Sequence, residues 1–202
     1  DDYTRYLQMV RQVTDDVGAF VDRVTALPGW EDTWFVVVSD HGEGLNDHTN
    51  VPMSLNHGLT VYEPEARVPW IIYRKGWTPA RQVIAQEVRL IDVAPTLLDL
   101  IGTGPAPGAQ GISMKPLIDG AASLVSLPRY EVIETEFQGT EKIAVYGKRF
   151  KYIENRVPQE GVPARELQPR GGHENGSLTN VMLKYPEVTS SLKDYLDQWE
   201  TR

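Results

Sequence analysis

The chain has 202 residues, of which 41% are hydrophobic and 24% charged, with a formal net charge of −8. That is enough chain for a real core in one domain or two small lobes. The acidic balance excludes a uniformly basic nucleic-acid surface and leaves room for a local basic pocket that takes an anion. With no cysteine, disulfides, cysteine metal sites and a cysteine nucleophile are excluded within this stretch.

Tyr3, Tyr6, Leu7, Val10, Val13, Val17, Phe20, Val21, Val24 and Leu27 recur at three- and four-residue steps. This spacing predicts a helix over 3–27 with one apolar stripe, stopped by Pro28-Gly29. The amphipathic start has no signal-peptide character, and it enters helical periodicity without a leading strand, which suits a chain cut from something longer. Residues 33–40, "TWFVVVSD", hold six consecutive aromatic or β-branched residues. They predict a strand buried on both faces, as in a parallel sheet. Residues 41–62 form a long loop rich in Gly, Asn and His, of the kind that usually carries function. "RVPWIIY" (67–73) reads as a second buried strand.

"RLIDVAPTLLDLIG" (89–102) reads as a helix capped by Asp92, with Pro95 in its first turn and Gly102 at its end. Residues 103–128 read as a connector with a short helix at 114–119. The period then changes to two. Residues 130–137, 142–147 and 149–154 predict strands, the last two joined as a hairpin at Gly147-Lys148. Residues 155–184 are turn-rich, and 186–200 predict a closing helix. No run of about 18 apolar residues occurs, so no membrane-spanning helix is expected. The pattern is α/β followed by a small α+β lobe, divided as 1–125 and 126–202.

Ligands of open α/β sheets sit at the carboxyl ends of strands. Asp40 and His41 lie at such an end, and Gly42 would permit the sharp turn that lets both side chains reach one ion. A carboxylate with an imidazole suits a divalent cation. More oxygen ligands favour calcium or magnesium, and more imidazole favours zinc or manganese. Two ligands do not complete a site. Asp40 as a turn cap with His41 on the surface is the plainer alternative. His48 and His57 follow in the same loop.

The ordered series "SDHGE", "NHGLTVYEPEARVPWIIY", "IDVAPTLLDLIG" and "GISMKPLIDG" resembles the C-terminal motifs of the sulfatase family, within the alkaline-phosphatase superfamily. "KIAVYGKRFKYIE" resembles a strand pair of that family. The likeness is close over residues 1–155 and looser to 202. It implies a partial alkaline-phosphatase-like mixed sheet with flanking helices. An α+β lobe with an antiparallel sheet and a C-terminal helix follows.

By position, the resemblance makes Asp40 and His41 metal ligands. His57 stands where the family has a sulfate-contacting or acid Lys or His. His48 would line the substrate pocket, while His173 is read as surface and Glu43 as supporting structure. The implied metal is Ca2+, with Mn2+ or Zn2+ as alternatives, and the implied nucleophile is a formylglycine. The Cys/Ser-x-Pro-x-Arg string that yields formylglycine is absent. "SLPRY" (126–130) has its arginine one position too early. The resemblance therefore implies the C-terminal part of a sulfuric ester hydrolase, inactive alone, whose substrate in the whole enzyme is a sulfate-ester small molecule or carbohydrate. An apolar unpaired face is expected, with self-association or pairing with the N-terminal region.

A periplasmic or secreted setting is slightly favoured, and the Asn175-Gly176-Ser177 sequon would matter in a eukaryotic secretory one. A phosphoric or phosphonic ester hydrolase, or a phosphoethanolamine-type transferase, of the same superfamily is the second reading. A non-catalytic binding domain is the third.

Overall fold

The structure is a computed structural model that describes residues 2–45, 57–77, 82–104, 107–120, 130–170 and 179–201. Two compact units emerge, one formed by Asp1–Thr78 with Tyr130–Arg202, the other by Pro79–Arg129. These units are drawn differently from a division at residue 125, because the last third of the chain packs with the first.

In the first unit the expected long helix is α1, Asp2–Thr25. Its stripe is largely uncovered. Leu7, Val10, Val13 and Phe20 are all exposed, and Phe20 meets the Phe35 ring edge-on at 6.3 Å. Strand β1, Trp34–Val38, pairs with β2, Trp70–Arg74. The pairing is antiparallel, from Trp34↔Arg74 to Val38↔Trp70. Both strands fall where expected, but the parallel, doubly buried environment does not hold. Val37, Val38, Ile71 and Tyr73 are exposed. A run of β-branched residues signals a strand that favours apolar cover, yet it carries no information about partner direction or about which cover is present.

The second sheet is an antiparallel meander of β3 (Glu131–Phe137), β4 (Thr140–Tyr146), β5 (Phe150–Asn155) and β6 (Arg165–Pro169). The hairpin at Gly147 is closed by Gly147 N–H donating to Phe150 O at 2.9 Å. Period-two alternation divides the sheet into two faces. Ile143, Val145, Tyr152 and Leu167 face helix α5, Pro186–Glu200, and pack on its Leu192 and Leu196. Each fully buried leucine is worth about 1.5–3 kcal/mol relative to exposure. Ala144, Tyr146 and Ile153 face the other way, onto Val61 and Tyr62.

Strand β6 lies in a stretch that reads as turns. Its three buried residues, Glu166, Leu167 and Gln168, are mostly polar, so no apolar alternation marks it. Glu166 is satisfied by Asn155 Nδ2 at 2.8 Å, Gln168 Nε2 at 2.7 Å and Tyr62 Oη at 3.3 Å. Burial is therefore tolerated, as hydrogen-bonded polar groups allow.

In the second unit a single turn, Leu90–Asp92, leads into α3, Val93–Leu100, and α4 spans Lys115–Ile118. Asp92 does not cap α3 with its side chain. It is fully buried and accepts from Arg89 N and Ile112 N, both at 2.9 Å. It thus fastens residue 112 to the start of the helix. Gly102, at φ +75°, ends that helix as expected. Among the described residues, no helix is long and apolar enough to cross a membrane.

Candidate active site

The site begins where β1 ends. Ser39 Oγ donates to His41 O at 2.6 Å, and His41 N–H donates to Asp40 Oδ1 at 3.0 Å, so the turn is held by its own side chains. The short helix α2, Glu63–Ala66, then grips it. Gly42 N–H donates to Glu65 O at 2.8 Å and Glu43 N–H to Pro64 O at 3.1 Å. A Cβ at position 42 would lie 1.9 Å from Pro64 O. Gly42 is thus required by the close approach of two backbones, and it is not among the positive-φ glycines. The turn explanation offered by the sequence is corrected on that point.

His41 and His57 are brought together. Their rings stack at 4.1 Å between centroids, 18° from parallel. A carbonyl can only accept, so the 2.7 Å contact of His41 Nδ1 with Gly42 O places a proton on Nδ1. That hydrogen bond, together with the Asp40, Glu43 and Glu65 carboxylates, raises the His41 pKa above its ordinary value. Nε2 is turned toward Asp40 Oδ1, 3.7 Å away. His57 Nδ1 meets Glu43 Oε2 at 3.3 Å. Glu43 Oε1 is buried with no hydrogen-bond partner among the described residues.

The segment behind His57 is fixed by Glu65, which is buried. Its carboxylate accepts Gly58 N–H at 2.7 Å, Thr60 N–H at 3.3 Å and the Thr60 hydroxyl. The second sheet adds two ties. Thr135 Oγ1 donates to Gly58 O at 2.5 Å, and the Tyr146 hydroxyl donates to Val61 O. Sequence reading passed over Glu65, because "YEPEA" reads as a lead-in to a strand. The available signal was a second acid two residues after Glu63 in a segment bounded by apolar residues.

Asp40 and His41 fit a divalent cation as two ligands. Their donor atoms are close enough to share an ion, and His41 donates its other ring nitrogen to a carbonyl, as metal-bound histidines do. Among the described residues, no group of three His, Cys, Asp or Glu side chains is placed to hold a metal. The remaining donors would have to come from beyond those groups. His48, His173 and the 175–177 sequon lie outside the described residues.

The Sulfatase family model matches residues 1–103, and the chain belongs to the sulfatase family. A Delta 4,5-hexuronate-2-O-sulfatase of Bacteroides thetaiotaomicron is 26% identical over 214 residues, covering 100% of this chain and 42% of the relative. The solved structure of a 2-O GAG sulfatase superposes with TM-score 0.68 at 23% identity, over 94% of this chain and 41% of that one. A protein solved in complex with its substrate D-glucosamine-2-N,6-O-disulfate superposes with TM-score 0.73 at 20% identity, over 97% and 40%. The fold is the alkaline-phosphatase-like one of sulfatases. The chain spans about two fifths of the length of these relatives.

Proposed function

We propose that this chain carries the metal and proton-donor side of a sulfuric ester hydrolase. The observation that supports this reading is the stack of His57 on His41 beside Asp40. Asp40 and His41 would hold a divalent cation, Ca2+ first, with Mn2+ or Zn2+ as alternatives. Such an ion would draw negative charge from the nonbridging oxygens of the ester.

His57 contacts the ester group and gives its proton to the leaving oxygen. Glu43 holds the ring through Nδ1, and Nε2 is the nitrogen that would meet that oxygen. His48 would line the pocket. The formylglycine nucleophile would come from outside these 202 residues, so this stretch alone is not expected to turn over substrate. The apolar face of α1, β1 and β2 would be covered by the same missing region or, failing that, by a second copy. The substrate class is a sulfate ester, on a small molecule or a sugar.

The test uses the full-length enzyme and two aryl sulfates, one with a good and one with a poor leaving group. Asp40→Ala or His41→Ala should abolish both activities. His57→Ala should slow the poor leaving group at least tenfold more than the good one. Equal loss for both would remove His57 from the acid role. Preference for a phosphonate monoester over either aryl sulfate would move the enzyme to the phosphoryl branch of the superfamily.

A further inference from the structure

A groove of about 290 Å3 lies in the first unit, between the β4–β5 turn and the approach to α5, lined by Lys148, Arg149, Phe150, Arg170, Lys184 and Tyr185. Its scaffold is fixed. Arg170 pairs with Glu63 at 3.1 Å and donates to Gly147 O at 2.7 Å, and its backbone N–H donates to Arg149 O at 2.9 Å. On the other wall, Lys184 N–H donates to Val181 O at 2.9 Å. The half-buried Phe150 and Tyr185 rings pack at 4.8 Å and form an aromatic floor, with Arg149 over the Phe150 ring at 5.8 Å and Lys184 over the Tyr185 ring at 5.4 Å.

Arg170 is neutralised by Glu63. Lys148, Arg149 and Lys184 are exposed and form no ion pair among the described residues. Three cations with no carboxylate partner among the described residues thus line one groove of a chain with 28 acidic and 20 basic residues. Like charges held together without counter-charges repel one another, and an anionic ligand relieves that repulsion. An aromatic floor beside them favours a ligand with an apolar face over a bare ion.

From this we infer that the groove binds an anionic saccharide, with sulfate or carboxylate groups on Lys148, Arg149 and Lys184 and a sugar face against Phe150 and Tyr185. The ligand's class rests on the sulfate-ester reading above. The charge and shape of the groove do not.

The experiment measures binding of a heparin-derived tetrasaccharide to the full-length protein by calorimetry. It compares the wild type with the Lys148→Glu/Arg149→Glu/Lys184→Glu variant, its folding verified by circular dichroism. The variant should bind at least tenfold more weakly and with a shallower salt dependence, while KM and kcat for a small aryl sulfate stay unchanged. Unaltered affinity in the folded variant would overturn the proposal. Inorganic sulfate competing as well as the sugar would reduce the groove to a bare anion site and overturn the saccharide assignment. So would equal affinity for an oligonucleotide of matched charge. Loss of tetrasaccharide binding in a protein that hydrolyses no sulfate ester would uphold the groove and sink the hydrolase reading instead.

Discussion

The Glu65 carboxylate accepts the Gly58 N–H at 2.7 Å, while the carbonyl of the same residue accepts the Gly42 N–H at 2.8 Å. One residue therefore registers the strand end that carries Asp40 and His41 against the segment that carries His57. Glu65→Ala would leave the Gly58 and Thr60 donors without an acceptor, at a cost of about 1–3 kcal/mol for each one that stays buried. Thermal unfolding should show the loss, and proton NMR should show weakened contacts between the His41 and His57 rings. Glu65→Gln should recover most of both, since its amide oxygen can accept the two backbone N–H groups and its NH2 can donate to Thr60 Oγ1. Intact ring contacts in the alanine variant would remove Glu65 from the positioning role.

Gly42→Ala should be more damaging than its single methyl suggests. The added carbon would meet the Pro64 carbonyl, and backbone on both sides is hydrogen-bonded in place. Such overpacking costs about 1–3 kcal/mol. The denaturant midpoint should fall, and divalent-metal affinity of the full-length enzyme should fall with it. Unchanged stability would show that α2 yields easily.

Glu166 gathers Asn155 and Gln168 from the sheet and Tyr62 from the segment before α2, and its charge acts on the buried Lys142. Removing it strands several donors and a buried cation. Glu166→Ala should therefore destabilise by about 3–5 kcal/mol. Tyr62→Phe deletes one of several donors to that carboxylate and should cost about 1 kcal/mol. Similar unfolding midpoints for the two variants would refute this ranking.

Burial lowers the Lys142 pKa below its ordinary 10.5, and attraction to Glu166 and Glu65 only partly offsets it. The charged form is thus penalised in the folded state. The penalty is in force below the folded pKa and fades as pH climbs through it toward the unfolded value. Lys142→Met should raise the unfolding midpoint at pH 7, and its advantage should shrink by pH 10. An advantage that does not depend on pH would point to packing instead.

The strand end that carries Asp40 and His41 was legible from the sequence because it is local. Asp40 and His41 are adjacent, they follow an apolar strand, and the ordered motifs around them carry the family likeness. The helices α1, α3 and α5 and strands β3 to β5 were legible for the same reason, since a hydrophobic period is written in neighbouring residues. Three-dimensional pairing decided the rest. The direction of β2 against β1, the existence of β6 and the role of Asp92 each depend on partners distant along the chain. The stack of His57 on His41 joins residues 16 apart, held by Glu65, whose acceptor role depends on the Gly58 and Thr60 donors. Local periodicity and motif order thus determined the elements and the family, while long-range hydrogen bonds to buried polar groups decided how the site is held, because such groups are recognisable only once their partners are in place.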